Sequence, residues 1–163
     1  MTAPQWDAEV KPTVTPRFAF GAAAIIIAVH VVVGALLKRS STGVIFTTAD
    51  QVAIAALGVV IGGFLCLFAR PRLRVGPAGV AVRNLFGYRL VPWRDVRGIS
   101  FHPGARWARL DLPDDEYIPV MAIQAVDKAR AADAMDRVRA LVERYRAGSV
   151  DGKAGGNVTG NRP

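Results

Sequence analysis

The residues that could bind a metal or act as nucleophiles are few and widely spaced. The chain contains two histidines, His30 and His102, and a single cysteine, Cys66. A zinc site needs three or four Cys, His or carboxylate ligands, and His102 has no second histidine or cysteine at ligand spacing. One thiol inside an apolar run cannot form an intrachain disulfide and is typical of a small side chain in a membrane helix. The sequence therefore predicts no metal site and no cofactor.

The other candidate groups for chemistry are an acidic cluster and a serine. Asp114, Asp115 and Glu116 could contact a hard cation, but one tight turn offers fewer oxygen ligands than an octahedral site needs, so a solvated hairpin turn is favoured. Ser100 has no base close in sequence and no nucleophile elbow. Residues 76–79 lack the lysine and helix that complete a phosphate-binding loop. We predict that the protein is not an enzyme and has no catalytic residues.

Arginine supplies the charge that a partner would recognise. The net charge is +8, and residues 70–109 hold nine arginines against one acid, Asp95. Our candidate contacts to anionic lipid headgroups are Arg70, Arg72, Arg74, Arg83 and Arg89. The same residues could equally be a solvated sheet face together with topology signals. Nucleic acid is disfavoured as a partner, because this block directly follows an apolar run and carries no nucleic-acid-binding motif.

Two apolar runs precede the arginines. Residues 18–37 and 52–69 contain no Asp, Glu, Lys or Arg. A helix rises about 1.5 Å per residue and the hydrocarbon core is about 30 Å thick, so each run is predicted to be a transmembrane helix. The basic residues at the outer ends of the runs are Lys11, Arg17, Arg70, Arg72 and Arg74, against only Lys38 and Arg39 in the loop 38–51. We therefore predict a multi-pass protein of the plasma (inner) membrane, with both termini cytoplasmic and this loop outside.

The two runs also contain residues suited to helix packing. Gly58 and Gly62 have GxxxG spacing, which allows close approach either within a helical hairpin or between copies in a homo-oligomer. His30 lies near the middle of the first run and could contact a proton or ligand. Neither run contains a carboxylate partner, so a neutral imidazole bonded across to the other helix is favoured.

The remaining residues predict one small soluble domain with flexible flanks. Residues 70–147 show five or six short β-like runs separated by turns, followed by a helix that begins at Asp127 and ends at Gly148. The apolar face of this helix is predicted to comprise Ala131, Met135, Val138, Val142 and Tyr145. Residues 1–17 contain three prolines and mixed charges and are predicted to be flexible, and the glycine-rich residues 148–163 are predicted to be disordered.

Residues 70–101 resemble the pleckstrin-homology-like (PH-like) domains of actinobacterial membrane proteins related to the low molecular weight protein antigen 6 family. The matching features are the basic exit from a membrane hairpin, the pair Gly79-Val80, and Val91-Pro92-Trp93 followed by Asp95-Val96. The resemblance extends from residue 69 to about 145. It implies an antiparallel β-sandwich or half-barrel closed by the final helix, with no catalytic residues to carry over. A complete PH domain has seven strands, more than the sequence reveals.

The predicted fold class is therefore α+β: a two-helix transmembrane hairpin followed by a PH-like sandwich with a C-terminal helix. Two functions are compatible with this sequence. The first is a membrane-tethered interaction module that docks a protein partner at the cytoplasmic membrane surface and is oriented by anionic lipid. The second is an accessory subunit of a transport or membrane-enzyme complex that acts through the hairpin, in which His30 would matter.

Overall fold

The computed structural model describes residues 5–37 and 46–154. The chain divides into two units: Thr13–Arg70 contains the apolar helices, and Met1–Pro12 together with Pro71–Pro163 forms the second unit. The first unit contains α1 (Val14–Leu37) and α2 (Thr48–Cys66), the latter extended by a 3-10 turn at Leu67–Ala69. Both helices are long and apolar enough to cross a membrane, with mean hydropathies of 2.5 and 2.6. Most of the predicted loop 38–51 lies outside the described residues.

α2 begins four residues earlier than the apolar run predicts, because a capping box defines its start. The Thr47 hydroxyl accepts a hydrogen bond from the Asp50 backbone N–H, while the Asp50 carboxylate accepts one from the Thr47 N–H at 2.8 Å. This arrangement satisfies backbone donors that the first turn of a helix leaves without intrahelical partners. The polar residues 48–51 are therefore helical as well.

The two helices pack through the predicted glycine pair. A Cβ added to Gly58 would lie 2.6 Å from the Cβ of His30, and one added to Gly62 would lie 3.0 Å from Cδ1 of Ile27. Both glycines therefore face α1 within one chain. The Gln51 side chain donates a hydrogen bond across the helices to the Gly34 carbonyl at 3.0 Å.

The sequence favoured an imidazole of His30 bonded across to α2, and the structure corrects this prediction. The Nδ1 of His30 lies 2.8 Å from the Ile26 carbonyl, one turn earlier in the same helix. The reason is steric: the absence of a side chain at Gly58 brings backbone rather than a polar partner against the imidazole.

The second unit consists of two antiparallel sheets and a helix. The first sheet has the order β1 (Ala8–Val10), β2 (Arg72–Gly76), β3 (Gly79–Arg83) and β4 (Tyr88–Val91). The second contains β5 (Gly98–Ser100), β6 (Trp107–Asp111) and β7 (Tyr117–Gln124). Helix α3 spans Ala129–Ala154. Two apolar helices, two antiparallel sheets and a C-terminal helix confirm the predicted α+β, PH-like fold.

The core of this unit lies between the sheets and α3. Strand geometry directs alternate side chains of β2 and β3 towards this core, although Ala81, on the other face of β3, is buried as well. The inward side chains are Leu73, Val75, Val80 and Val82. Met135, Val138 and Val142 cover the core from α3, with exposures of 4% or less. The predicted apolar helix face is thus confirmed at these positions.

The predicted flexibility of residues 1–17 is wrong for Ala8–Val10, which form β1 and pair with β2. With this strand the described residues contain seven strands, six of which, β2–β7, lie within residues 70–147. The segment before β1 also packs closely, since a Cβ on Gly76 would lie 2.5 Å from the Gln5 carbonyl oxygen. Helix α3 likewise continues through Gly148, the predicted stop, to Ala154. Residues 155–163 of the predicted disordered tail lie outside the described residues.

Candidate lipid-contact surface

One end of the four-stranded sheet gathers the chain segments that lead to and from the apolar helices. Val10 ends β1 opposite Leu73, and Arg72 begins β2 opposite Arg83, the last residue of β3. Arg83 in turn pairs with Tyr88, the first residue of β4. We call this end of the sheet the linker end. Residues 11–13, residues 70–71 and the β3–β4 turn at residues 84–87 all extend from it.

The sheet face opposite the core is basic at the linker end. Arg72 and Arg74 alternate with the buried Leu73 and Val75, and the register places Arg83 beside Arg72. The carboxylate of Glu9 on β1 lies 3.3 Å from Nε of Arg74 and 3.6 Å from Nη1 of Arg72. One acid thus stands among several basic groups, and this face carries an excess of positive charge.

Lys11 adds a further basic group to this face. Its Nζ lies 3.0 Å from Oε1 of Glu9. The hydrogen bond from Lys11, together with one from Arg74, lowers the pKa of the Glu9 carboxyl below its usual value. Glu9 therefore holds β1 against β2 while leaving most of the arginine charge unneutralised.

The structure brings together three of the five predicted lipid contacts: Arg72, Arg74 and Arg83. Arg89 pairs with Val82 and so belongs to the opposite face of the sheet, where it borders a depression also lined by Asp114 and Glu116. Arg70 belongs to the helical unit, where its backbone N–H donates to the Leu67 carbonyl at 3.0 Å. The basic face therefore contains fewer arginines than the nine in residues 70–109.

Apolar side chains at the β3–β4 hairpin are a feature that the sequence analysis missed. Phe86 is 79% exposed, Tyr88 62% and Leu90 44%. Within the described part of the second unit, the other exposed large apolar side chains are Tyr117 and Val126. The signal was present as Leu-Phe-Gly-Tyr between two arginines, but strand alternation alone did not separate these residues from core positions.

The Asn84 side chain fixes this hairpin to the second sheet. Asn84 Nδ2 donates to the Pro119 carbonyl at 2.8 Å, and the Met121 N–H donates to Asn84 Oδ1 at 3.2 Å. The side-chain amide therefore makes the two hydrogen bonds to the β7 backbone that a residue of a neighbouring strand would make. The turn is closed by a hydrogen bond from the Asn84 N–H to the Gly87 carbonyl at 2.9 Å. As a result, the exposed tip is held by hydrogen bonds at its base.

The opposite end of the sheet is closed by aromatic residues. Trp93 Nε1 donates to the Gly76 carbonyl at 3.0 Å, and its ring stacks on Tyr145 with centroids 4.8 Å apart. The Tyr145 hydroxyl donates to the Asp7 carboxylate, and this bond raises the pKa of the phenol. Trp93 packs partly buried against the core.

The candidate groups for chemistry do not combine into a reactive site among the described residues. The Ser100 hydroxyl donates to Asp111 Oδ1 at 3.0 Å, whereas His102 contacts the Arg109 guanidinium. Asp114 and Asp115 both have left-handed backbone conformations, with φ of 59° and 57°, in the tight β6–β7 turn. Across the part of the chain that the structure describes, no group of three His, Cys, Asp or Glu residues is placed to bind a metal.

The family model described as Bacterial PH domain matches residues 70–141. An uncharacterised protein of Mycobacterium tuberculosis, Rv1417, is 62% identical over 141 residues, which cover 86% of this chain and 92% of that protein. The chain belongs to the bacterial PH domain family. The matched range begins after β1, so the strand formed by Ala8–Val10 lies outside it.

More distant relatives of this bacterial PH domain protein include low molecular weight protein antigen 6 of Mycobacterium tuberculosis. That protein is 41% identical over 54 residues, which cover 33% of this chain and 47% of the antigen. The resemblance inferred from the sequence motifs is thereby confirmed. No solved structure matches the chain.

Proposed function

We propose that the protein is a membrane-tethered interaction module, which presents its PH domain at the cytoplasmic face of the plasma membrane and docks a protein partner there. The observation that carries this proposal is the pairing of β1 with β2. These strands flank the two apolar helices in the chain, yet they are neighbours in one sheet. A chain that crosses a bilayer twice returns to its starting side, so a double crossing is consistent with the pairing of Val10 with Leu73, whereas a single crossing is not.

Two short linkers would keep the domain close to the bilayer. Three residues separate Val10 from α1, and two separate the 3-10 turn at Leu67–Ala69 from β2. Because an extended residue spans at most about 3.6 Å, each linker reaches only about 10–15 Å. Attachment at two points restricts both the distance and the rotation of the domain. It would therefore meet partners that are themselves at the membrane.

The basic face supports an orienting contact with anionic lipid. A basic residue near an anionic surface contributes about 1 kcal/mol, and this contribution is lost as salt screens the charge. Arg72, Arg74 and Arg83 lie at the linker end, the end of the sheet that the chain connects to the helices. Because the helices already anchor the protein, this attraction would fix the tilt of the domain rather than recruit it.

The family and an exposed sheet edge support docking of a protein partner. Bacterial PH domains suggest interaction with protein or lipid. β4 is the last strand of its sheet, and its residues Tyr88, Arg89 and Leu90 are exposed. An exposed edge presents unpaired backbone groups that a partner strand can bind.

Cysteine accessibility on intact cells tests the topology on which this function depends. In a Cys66→Ser background, Ser41→Cys should react with a membrane-impermeant maleimide, whereas Ala140→Cys, on the exposed side of α3, should react only after permeabilisation. The opposite pattern would place the domain outside the cell and refute the proposal.

No structural observation favours the alternative of an accessory subunit acting through His30. The His30 Nδ1 is engaged by the Ile26 carbonyl, and its Cβ is packed at Gly58. These contacts indicate a packing role for the imidazole.

A further inference from the structure

We propose that the tip of the β3–β4 hairpin, residues 84–88, inserts into the headgroup region of an anionic phospholipid bilayer and forms a third membrane attachment. This inference rests on the proposed tethering function and names the surface that meets the lipid. The hairpin tip is the one turn among the first sheet's strands that lies at the linker end, since the β2–β3 turn at residues 77–78 lies at the other end.

Position is the first argument. β2 begins two residues after Leu67–Ala69, and its first residue, Arg72, pairs with the last residue of β3. The turn at residues 84–87 therefore extends from the same end of the sheet as residues 70–71, which connect the sheet to the apolar helices. If α2 ends at the bilayer surface, the short linker leaves this turn within reach of the headgroups.

The composition of the tip fits an interface between water and lipid. Phe86 is 79% exposed and Tyr88 62%, which is unusual for aromatic side chains in a small soluble domain. Tyrosine is favoured at headgroup depth because its ring is apolar and its hydroxyl is polar. Arg83 lies directly beside Tyr88 in the sheet, where its guanidinium could bind a phosphate while the apolar tip enters the bilayer.

Rigidity of the tip also favours insertion. The Asn84 side chain bonds to both Pro119 and Met121, and the turn is closed by the Asn84–Gly87 hydrogen bond. A hairpin held in this way loses little conformational entropy when it enters the interface. Lipid is favoured over a protein surface because the basic Arg72, Arg74 and Arg83 continue from the tip along the same end of the sheet.

The depth of the tip can be measured in the full chain, reconstituted into nanodiscs of phosphatidylglycerol and phosphatidylcholine. In a Cys66→Ser background, Phe86→Cys carries a spin label, and collisions with oxygen and with a water-soluble nickel chelate are compared. Ala140→Cys, exposed on α3, provides the aqueous reference, and Val60→Cys, 68% exposed on α2, provides the bilayer reference. We expect the ratio of oxygen to nickel accessibility at residue 86 to rise above that at residue 140, towards that at residue 60.

Two results would overturn this inference and leave the tether intact: a label at residue 86 as aqueous as that at residue 140, or one shielded from both reagents, which would mean a protein contact. An aqueous label at residue 60 would overturn the tether as well.

Phe86→Trp retains an aromatic tip and gives an independent readout. Phospholipids brominated near the headgroup should quench its fluorescence beyond the level seen for the parent protein. Equal quenching of the two proteins would contradict insertion.

Discussion

Asn84 provides the sharpest test of how the hairpin is held. Replacing it with alanine removes two hydrogen bonds, at 2.8 Å to the Pro119 carbonyl and 3.2 Å from the Met121 N–H. A typical hydrogen bond contributes about 0.5–1.5 kcal/mol net, and a backbone group left without a partner costs about 1–3 kcal/mol. Since both backbone groups are only partly buried, water can compensate in part. We expect Asn84→Ala to lower the free energy of unfolding by about 2 kcal/mol.

Tryptophan fluorescence during denaturant unfolding in detergent is a suitable assay. The chain contains three tryptophans, Trp6, Trp93 and Trp107, and all lie in the unit that contains the sheets. The signal therefore reports on this unit while the apolar helices stay in the micelle. Arg139→Ala is the matched control, because Arg139 is exposed and its single ion pair spans 4.0 Å.

A second variant separates the two hydrogen bonds of Asn84. Asn84→Asp keeps an acceptor for the Met121 N–H but, at neutral pH, places a carboxylate oxygen against the Pro119 carbonyl. It should therefore destabilise at least as much as Asn84→Ala. If Asn84→Ala unfolds within about 0.5 kcal/mol of the parent, like an ordinary surface substitution, the side chain does not join the sheets and our reasoning fails.

Three further predictions concern the core, the helical hairpin and β1. Val138→Ala removes fully buried methyl groups from α3 and should cost about 1–3 kcal/mol in the same assay, while Arg139→Ala should be nearly neutral; equal effects would mean that α3 does not dock. Gly58→Leu places a side chain where a Cβ would already lie 2.6 Å from His30, so thermal unfolding in detergent should show a destabilised hairpin, whereas Gly63→Leu, in open space, should not. The lowered pKa of Glu9 means that its ion pairs stabilise the folded state above the carboxyl's ordinary pKa of about 4.5 and are lost as pH falls through the folded-state value. Glu9→Gln should therefore reduce the loss of stability on acidification, and an unchanged acid limb would show that Glu9 contributes nothing.

Periodicity made the helices and the inward strand residues predictable. Runs without charge mark α1 and α2, and the three-to-four spacing of Val138 and Val142 marks the buried face of α3. The alternation of Arg72 and Arg74 with apolar residues likewise separates the basic face from the core. In each case the signal lies within one element, and local geometry is enough to interpret it.

Features that depend on contacts distant in sequence were not predictable. β1 has only three residues, too few for alternation to register, and its partner lies beyond both apolar helices. Arg89 was predicted to lie with the other arginines. Because Arg83 pairs with Tyr88 across the four-residue turn at residues 84–87, the next residue, Arg89, faces the other side of the sheet. The Asn84 bridge joins residues 35 and 37 positions apart. A soluble fragment designed from the sequence alone to begin at residue 72 would therefore omit β1.

If the apolar helices cross the membrane as proposed, the pairing of β1 with β2 makes completion of the domain depend on correct insertion of the chain. During synthesis Val10 is made long before its partner Leu73, so the first sheet cannot close until both apolar helices have been synthesised. A chain in which only one helix crossed the bilayer would leave the two strands on opposite sides. β2 would then keep an open edge, which is prone to aggregation and proteolysis. Folding of the sheet would thus act as a check on membrane topology, with wrongly inserted chains eliminated by quality control.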